Sequence, residues 1–326
     1  MKKVILLAHH ALGDLVMKAP MINYLKSFSN QYDLHITVRD ETLKKFAEEF
    51  LNINKKNIHI INLTNTKLDT LKTLINLFSL RFDVYISPPS INRSLAKILS
   101  IFLLAKKNIL LPHNSEHKII ENFQISNYMP FKSKDKVDFE KFYFLQSIKK
   151  SHEQNKIIIH PGSGETESFK QYPKEKWLEV IRNIHLRYPS YKIIITGHGN
   201  KEEEICKYLT SNSEGITNLA GKLSLVKLID EINSCTLFIS SDCGPSHIAS
   251  ILKKQQITIF GPTDPSYTGA YNTTVILSNT KPACSPCYGT VDFGTKGCLN
   301  NSCLYSVQPT NILASIGNLH LPQDDY

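Results

Sequence analysis

The chain has no arginine-rich run, no zinc-finger spacing with paired histidines and no aromatic signature of an RNA-recognition sheet. Nucleic acid is therefore set aside as a partner. A Walker loop and the dinucleotide-binding glycine pattern are also missing, which removes support for kinase and NAD-dependent chemistry. No secretory signal opens the sequence: Met1-Lys2-Lys3 leads into only five apolar residues before His9-His10 and a Gly-Asp turn. That opening reads as a first strand. Long apolar runs are absent too. The most apolar later segment, Ile98 to Leu104, lies between Lys97 and Lys106-Lys107 and is too short to span a bilayer. These absences leave the cytoplasm as the expected location, with peripheral contact at the inner face of the membrane in reach.

What is present points to a two-part α/β protein. At 326 residues, two domains of ordinary size fit better than one large one. A hydrophobic content of 41% is enough for real cores, and a net charge of +9 points to acidic partners, phosphorylated substrates first. Strands fit Val4–Ala8, Leu34–Val38, Ile58–Ile61, Val84–Ile86 and Asn108–Leu111. Helices fit Asp14–Phe28, Glu41–Phe50, Leu68–Leu80 and Ser94–Leu104 between them. The stretch His113–Asp138 reads as polar and irregular, Phe139–Ser147 as a helix, and Lys149–Asn155 as a charged linker.

The alternation then restarts with strands at Lys156–His160, Lys192–Thr196, Leu237–Ile239 and Ile257–Phe260. A helix from Pro173 to Arg187 buries Trp177, and others fit Glu202–Leu209 and Val226–Ile232. Strands alternating with helices imply parallel sheets covered on both faces. The expected domains are 1–150 and 151–309, the latter with a Cys-rich loop at 282–304. A tail, 310–326, carries a short helix that can reach back to the first half. Two such halves predict a cleft, with ligands at the carboxyl ends of the strands.

The densest cluster of signals runs from Phe238 to Pro265. An apolar strand ends at Ser240-Ser241-Asp242, and Gly244-Pro245 turns the chain into a helix carrying His247. Pro245 suits a first helical position because its missing N–H would be unpaired there. The N–H groups of that first turn form an anion site. Asp242 and Asp264 flank it on two loops, and the whole reads as a pocket for a nucleotide-sugar. Upstream, His160-Pro161-Gly162-Ser163-Gly164 ends a strand, with Lys170 following before Tyr172-Pro173. Glycines let backbone approach a phosphate, and a lysine supplies a point charge to a pyrophosphate. A flexible loop with a solvated lysine is the plainer alternative. Glu202 opens a helix, where acids commonly serve the dipole, or it hydrogen-bonds a ribose.

Asp14 stands where the first strand turns into the first helix. Asp is a preferred helix cap, worth about 1 kcal/mol. A general base at that place would contribute roughly 10²–10⁴ in rate. Pattern alone favours the cap. His9 and His10 are loop residues or ligands of a substrate phosphate. Cys284, Cys287, Cys298 and Cys303 are spaced C-x2-C-x10-C-x4-C in a Pro/Gly-rich stretch. Four thiolates there suit a structural zinc or iron, and reduced, partly buried thiols are the alternative.

Gly13-Asp14, HPGSG at 160–164, Lys170 before Tyr-Pro, LAGKLSL at 219–225, SDCGPSHIAS at 241–250 and FGPTDP at 260–265 occur in one order. In that order the chain resembles the ADP-heptose:lipopolysaccharide heptosyltransferases of glycosyltransferase family 9. The resemblance implies the GT-B fold, two Rossmann-like parallel-sheet domains facing a central cleft, with acceptor bound by the first and nucleotide-sugar by the second. It implies Asp14 as the catalytic base and Lys170 on the donor phosphates. Asp242 and the turn Cys243, Gly244, Pro245 to His247 would also hold the donor, with Ser163 and Gly164 aligned loosely beside them. Leu223 and Glu202 would border the nucleoside. The implied reaction is inverting transfer of heptose from ADP-heptose to a hydroxyl of an anionic glycolipid, the lipopolysaccharide core or a related surface glycan, with no metal for catalysis. Other nucleotide-sugars, a protein acceptor, or a non-catalytic nucleotide-binding subunit of a glycan-assembly complex are the alternatives.

Overall fold

The computed structural model describes residues 1–8, 11–61, 67–145, 148, 155–278, 280, 282–288, 298, 300–319 and 321, with backbone alone at 67–71. His9, His10 and most of the expected linker lie outside the described residues. The chain divides into two compact units, 1–148 and 149–326.

The first unit's sheet contains β1 (Lys2–Leu7), β2 (Tyr32–Val38), β3 (Ile58–Ile60), β4 (Val84–Ser87) and β5 (Lys107–Leu110). Among the described residues they lie in the order β3-β2-β1-β4-β5, all parallel. The second unit contains β6 (Lys156–His160), β7 (Lys192–Ile195), β8 (Ile216–Asn218), β9 (Leu237–Ser241), β10 (Gln255–Ile259) and β11 (Thr274–Ile276). Their order is β11-β10-β9-β6-β7-β8, again parallel. Strands buried on both faces read as near-continuous apolar runs, as Ile157–Ile159 and Leu237–Ile239 do. In each sheet the order reverses beside the unit's first strand, between β1 and β4 and between β6 and β9. Such a switch point leaves a crevice outside the carboxyl ends of the two strands. Both candidate sites lie at these ends.

Three sequence expectations are corrected. The first helix is two, Leu12–Met17 and Ala19–Lys26, because Pro20 has no N–H to continue the ladder. The segment His113–Asp138 is not irregular: it holds helix Lys118–Phe123 and a 3₁₀ turn, Gln124–Asn127, with Ile119, Phe123, Ile125 and Phe131 buried. Tyr24 anchors this segment by donating to the Phe131 carbonyl at 2.7 Å and meeting the rings of Phe123 and Phe142 edge-on. The helix expected at Phe139–Ser147 covers only Glu140–Tyr143 among the described residues. The C-terminal helix, Pro309–Asn318, packs on helix Lys174–Arg187, β10 and β11. Ile312, Leu313 and Ile316 join the core that holds Trp177, so its apolar side is used within the second unit. Among the described residues no helix is long and apolar enough to cross a membrane.

Candidate active site

In the second unit, β6 and β9 run side by side with His160 opposite Ser240. Ser241 ties their ends together: its hydroxyl donates to the Pro161 carbonyl at 3.1 Å and accepts the Tyr172 N–H at 3.3 Å. The loop after β6 is held by Glu202, which accepts the Gly164 N–H at 2.6 Å and the His198 N–H at 2.8 Å. The His160 ring lies 3.4 Å from the same carboxylate. A Cβ on Gly162 would fall 2.2 Å from the Glu202 carboxyl carbon, so a larger residue there would displace that carboxylate. Gly164 has φ +93° and faces open space, which leaves its backbone approachable. The Ser163 hydroxyl is turned inward, donating to the Glu167 carbonyl at 2.7 Å.

Burial works to raise the Glu202 carboxyl, but the His160 charge and the hydrogen bonds outweigh it and hold its pKa at about 2. A carboxylate depressed on folding contributes stability that is present above its ordinary value of 4.5 and is lost as pH falls toward 2. We therefore expect acid unfolding to gain on the order of 2–3 kcal/mol over that window from this one group. In Glu202→Gln the melting temperature at neutral pH should fall and the acid limb should flatten. Thermal melts of both proteins across the range check this, and parallel acid limbs would remove Glu202 as the cause.

Lys170 ends a 3₁₀ turn, Ser168–Lys170, and points its ammonium at two carboxylates. It lies 3.0 Å from Glu167 Oε2 and 3.5 Å from Asp242 Oδ2, and 4.9 Å above the Tyr288 ring. Burial disfavours the charge, yet Asp242 and Glu167 prevail and the pKa stands above the ordinary lysine value. Asp242 is buried and also accepts the Thr263 hydroxyl at 2.7 Å. Tyr288 stacks on Phe169 at 5.5 Å and donates to Glu167 Oε1 at 3.3 Å. Its loop is pinned by the Cys287 and Tyr288 N–H groups, both 2.8 Å from the Pro262 carbonyl. Cys243 caps the helix Gly244–Ile251 through backbone alone, with Pro245 in its first turn and His247 buried. Burial pushes the Cys243 thiol far up, so it stays protonated.

The structure thus brings Ser163, Gly164, Lys170, Glu202, Asp242 and the Cys243–His247 turn to one sheet edge. Leu223 is half-buried in the loop before helix Leu225–Ser234, whose cap is Ser224 as expected. Asp264 is exposed and caps the short helix Pro265–Thr268, taking the Ser266 N–H at 2.9 Å and its hydroxyl at 2.6 Å. Glu167, Thr263 and Tyr288 were not foreseen. Only Glu167 left a signal, three residues before Lys170 in a turn.

In the first unit, Asp14 lies just past the carboxyl end of β1. It is not the helix cap: that position is Ala11, and Asp14 sits in the first turn. Its Oδ1 accepts the Lys118 ammonium at 2.6 Å, with both side chains mostly buried. Lys18 is fully buried one turn along and donates to the Asp14 carbonyl at 3.2 Å. Burial lowers the Lys18 pKa to about 8, with Asp14 raising it and Lys118 lowering it further. Lys118 is placed by its helix, where Ile119 and Phe123 are buried and Asn122 donates to the Met17 carbonyl at 3.3 Å.

The four cysteines come near one another but do not form the expected metal centre. Cys303 is buried in the second unit's core, while Cys284 is exposed and Cys298 half-buried. Burial first, then the neighbouring Cys298, Cys287 and Cys284, pushes the Cys303 thiol to about 11, so it keeps its proton. Among the described residues no three His, Cys, Asp or Glu side chains are grouped to hold a metal ion. That geometry lends the zinc or iron expectation no support.

A doubly wound parallel sheet in each unit is the architecture of the GT-B fold. The chain belongs to glycosyltransferase family 9 (heptosyltransferase), whose profile matches residues 103–295. It is 28% identical over 308 residues to lipopolysaccharide heptosyltransferase 1 of Campylobacter coli, covering 84% of this chain and 87% of that protein. It shares the fold of E. coli ADP-heptose lps heptosyltransferase II, with a TM-score of 0.73, 15% identity and 98% of each chain covered. The E. coli heptosyltransferase WaaC with ADP-2-deoxy-2-fluoro heptose matches with a TM-score of 0.72, 15% identity, and 97% and 99% of the two chains.

Proposed function

We propose that the chain moves a heptose from ADP-heptose to a hydroxyl of a lipopolysaccharide core or related surface glycan, inverting the anomeric carbon. The observation that carries this reading is the Lys170 ammonium between Asp242 and Glu167, at the carboxyl edge of β6 and β9. A mostly buried cation beside a helix start suits a diphosphate that gains charge as it leaves. The relative bound to ADP-2-deoxy-2-fluoro heptose supports the donor, and the relatives' lipopolysaccharide names support the acceptor.

On this reading the first unit binds acceptor and the second binds donor. Asp14 takes the acceptor hydroxyl's proton as its oxygen attacks the anomeric carbon. The bond from that carbon to the diphosphate breaks on the opposite side, which inverts the centre. The negative charge passes to the departing ADP, where Lys170 and the N–H groups at the start of helix Gly244–Ile251 meet it. Glu202 acts through Gly164, holding that backbone for the diphosphate, and Leu223 borders the nucleoside. These groups assign no catalytic role to a metal. The acceptor is carried at the inner face of the cytoplasmic membrane.

A donor screen tests the proposal. ADP-heptose should give a heptosylated acceptor by mass spectrometry, and NMR of the product should show the inverted linkage. Turnover with UDP- or GDP-sugars in preference to ADP-heptose, or retained configuration, would overturn it.

A further inference from the structure

Helices Lys67–Ser79 and Arg93–Leu103 lie together over the first unit's sheet, where Leu77, Ala96 and Leu103 pack with Ile5, Leu7 and Tyr85. Their outward faces are unusual. Ile98 is 63% exposed, Ile101 71%, Leu104 68% and Ile75 54%, with Phe78 and Phe102 also exposed. The rings of Phe78 and Phe102 meet at 5.7 Å and join the two helices into one apolar surface. The outer face of a surface helix is normally polar, and a continuous apolar patch marks an interaction site.

The charge around the patch identifies the occupant. Between residues 72 and 107 the chain carries six Lys or Arg and one acid, Asp83, which is paired with Lys106 at 2.7 Å. Lys72, Lys97 and Lys107 are all exposed. A two-fold contact with a second copy would set these cations against their own images. An anionic surface with an apolar interior satisfies both the charges and the exposed side chains.

We propose that this face docks on an anionic lipid bilayer, with Ile75, Phe78, Ile98, Ile101, Phe102 and Leu104 entering the headgroup region and the flanking lysines meeting lipid phosphates. The purpose of such docking rests on the membrane-borne acceptor proposed above, but binding can be measured without any substrate. The full chain should sediment with phosphatidylethanolamine–phosphatidylglycerol vesicles, less so at high salt, and at least about tenfold less with phosphatidylcholine alone. I98S/I101S and K97E/K107E should each lower partitioning by about tenfold or more, with melting temperatures unchanged. Undiminished binding by both variants would overturn the proposal, as would no binding by the native chain. So would a native dimer that I98S/I101S converts to monomer. Heptose transfer to a detergent-dispersed acceptor should be unaffected in these variants. Loss of that transfer in the native chain sinks the functional reading and leaves the vesicle result standing.

Discussion

Asp14→Asn is expected to lower heptose transfer by about 10²–10⁴-fold while changing affinity for ADP less than about threefold. Asparagine keeps the shape of the side chain, and its carbonyl oxygen can still accept the Lys118 ammonium that now sits 2.6 Å from Oδ1. It cannot accept the acceptor's proton. The loss should therefore appear in kcat, because a base acts only in the transition state. Lys118→Met supplies the contrast. It leaves the carboxylate but removes its anchor, so activity should fall by less than in Asp14→Asn. Steady-state ADP release and calorimetry of ADP binding measure the two parts. An Asp14→Asn enzyme with more than about a tenth of native activity would remove Asp14 as the base.

Lys170→Ala is expected to weaken donor binding by about 10- to 100-fold, the value of a charge-assisted hydrogen bond to phosphate. The structure adds a second effect. Removing the ammonium leaves Glu167 and Asp242 facing the incoming diphosphate without their shared partner. Part of the loss should then be repulsion. Lys170→Ala with Glu167→Gln should recover some donor affinity relative to Lys170→Ala alone. Donor KM and ADP affinity measure both proteins, and an unchanged KM in Lys170→Ala would contradict the assignment. No recovery in the double variant would confine the effect to the lost bond.

Much of the fold was legible because parallel strands buried on both faces need unbroken apolar runs, and Ile157–Ile159 and Leu237–Ile239 supply them. The short edge strands β8 and β11 are not legible in the sequence, since three residues at a sheet edge are too few to carry a period. In sequence the segment His113–Asp138 looks irregular because its aromatic anchors are spaced through polar residues. Their partner Tyr24 lies 107 residues from Phe131. Asp264 was placed at the site from its loop, yet that loop also begins a helix needing a cap. The cysteine spacing suggested a metal, but spacing along the chain does not fix whether thiols point at a common centre.

Two α/β halves, the loops that end β6 and β9, and Asp14, Lys170 and Asp242 as candidates for chemistry can all be read along the chain. Period, glycine and proline are local properties, so a linear reading reaches them. Packing in three dimensions was needed to see that Lys118 anchors Asp14 from 104 residues away, and that Asp242 meets Lys170. Packing also ties Glu202 to backbone and turns Ile98 and Ile101 outward. Charge pairing and burial depend on distance in space, and that distance is set by how the sheets and helices pack.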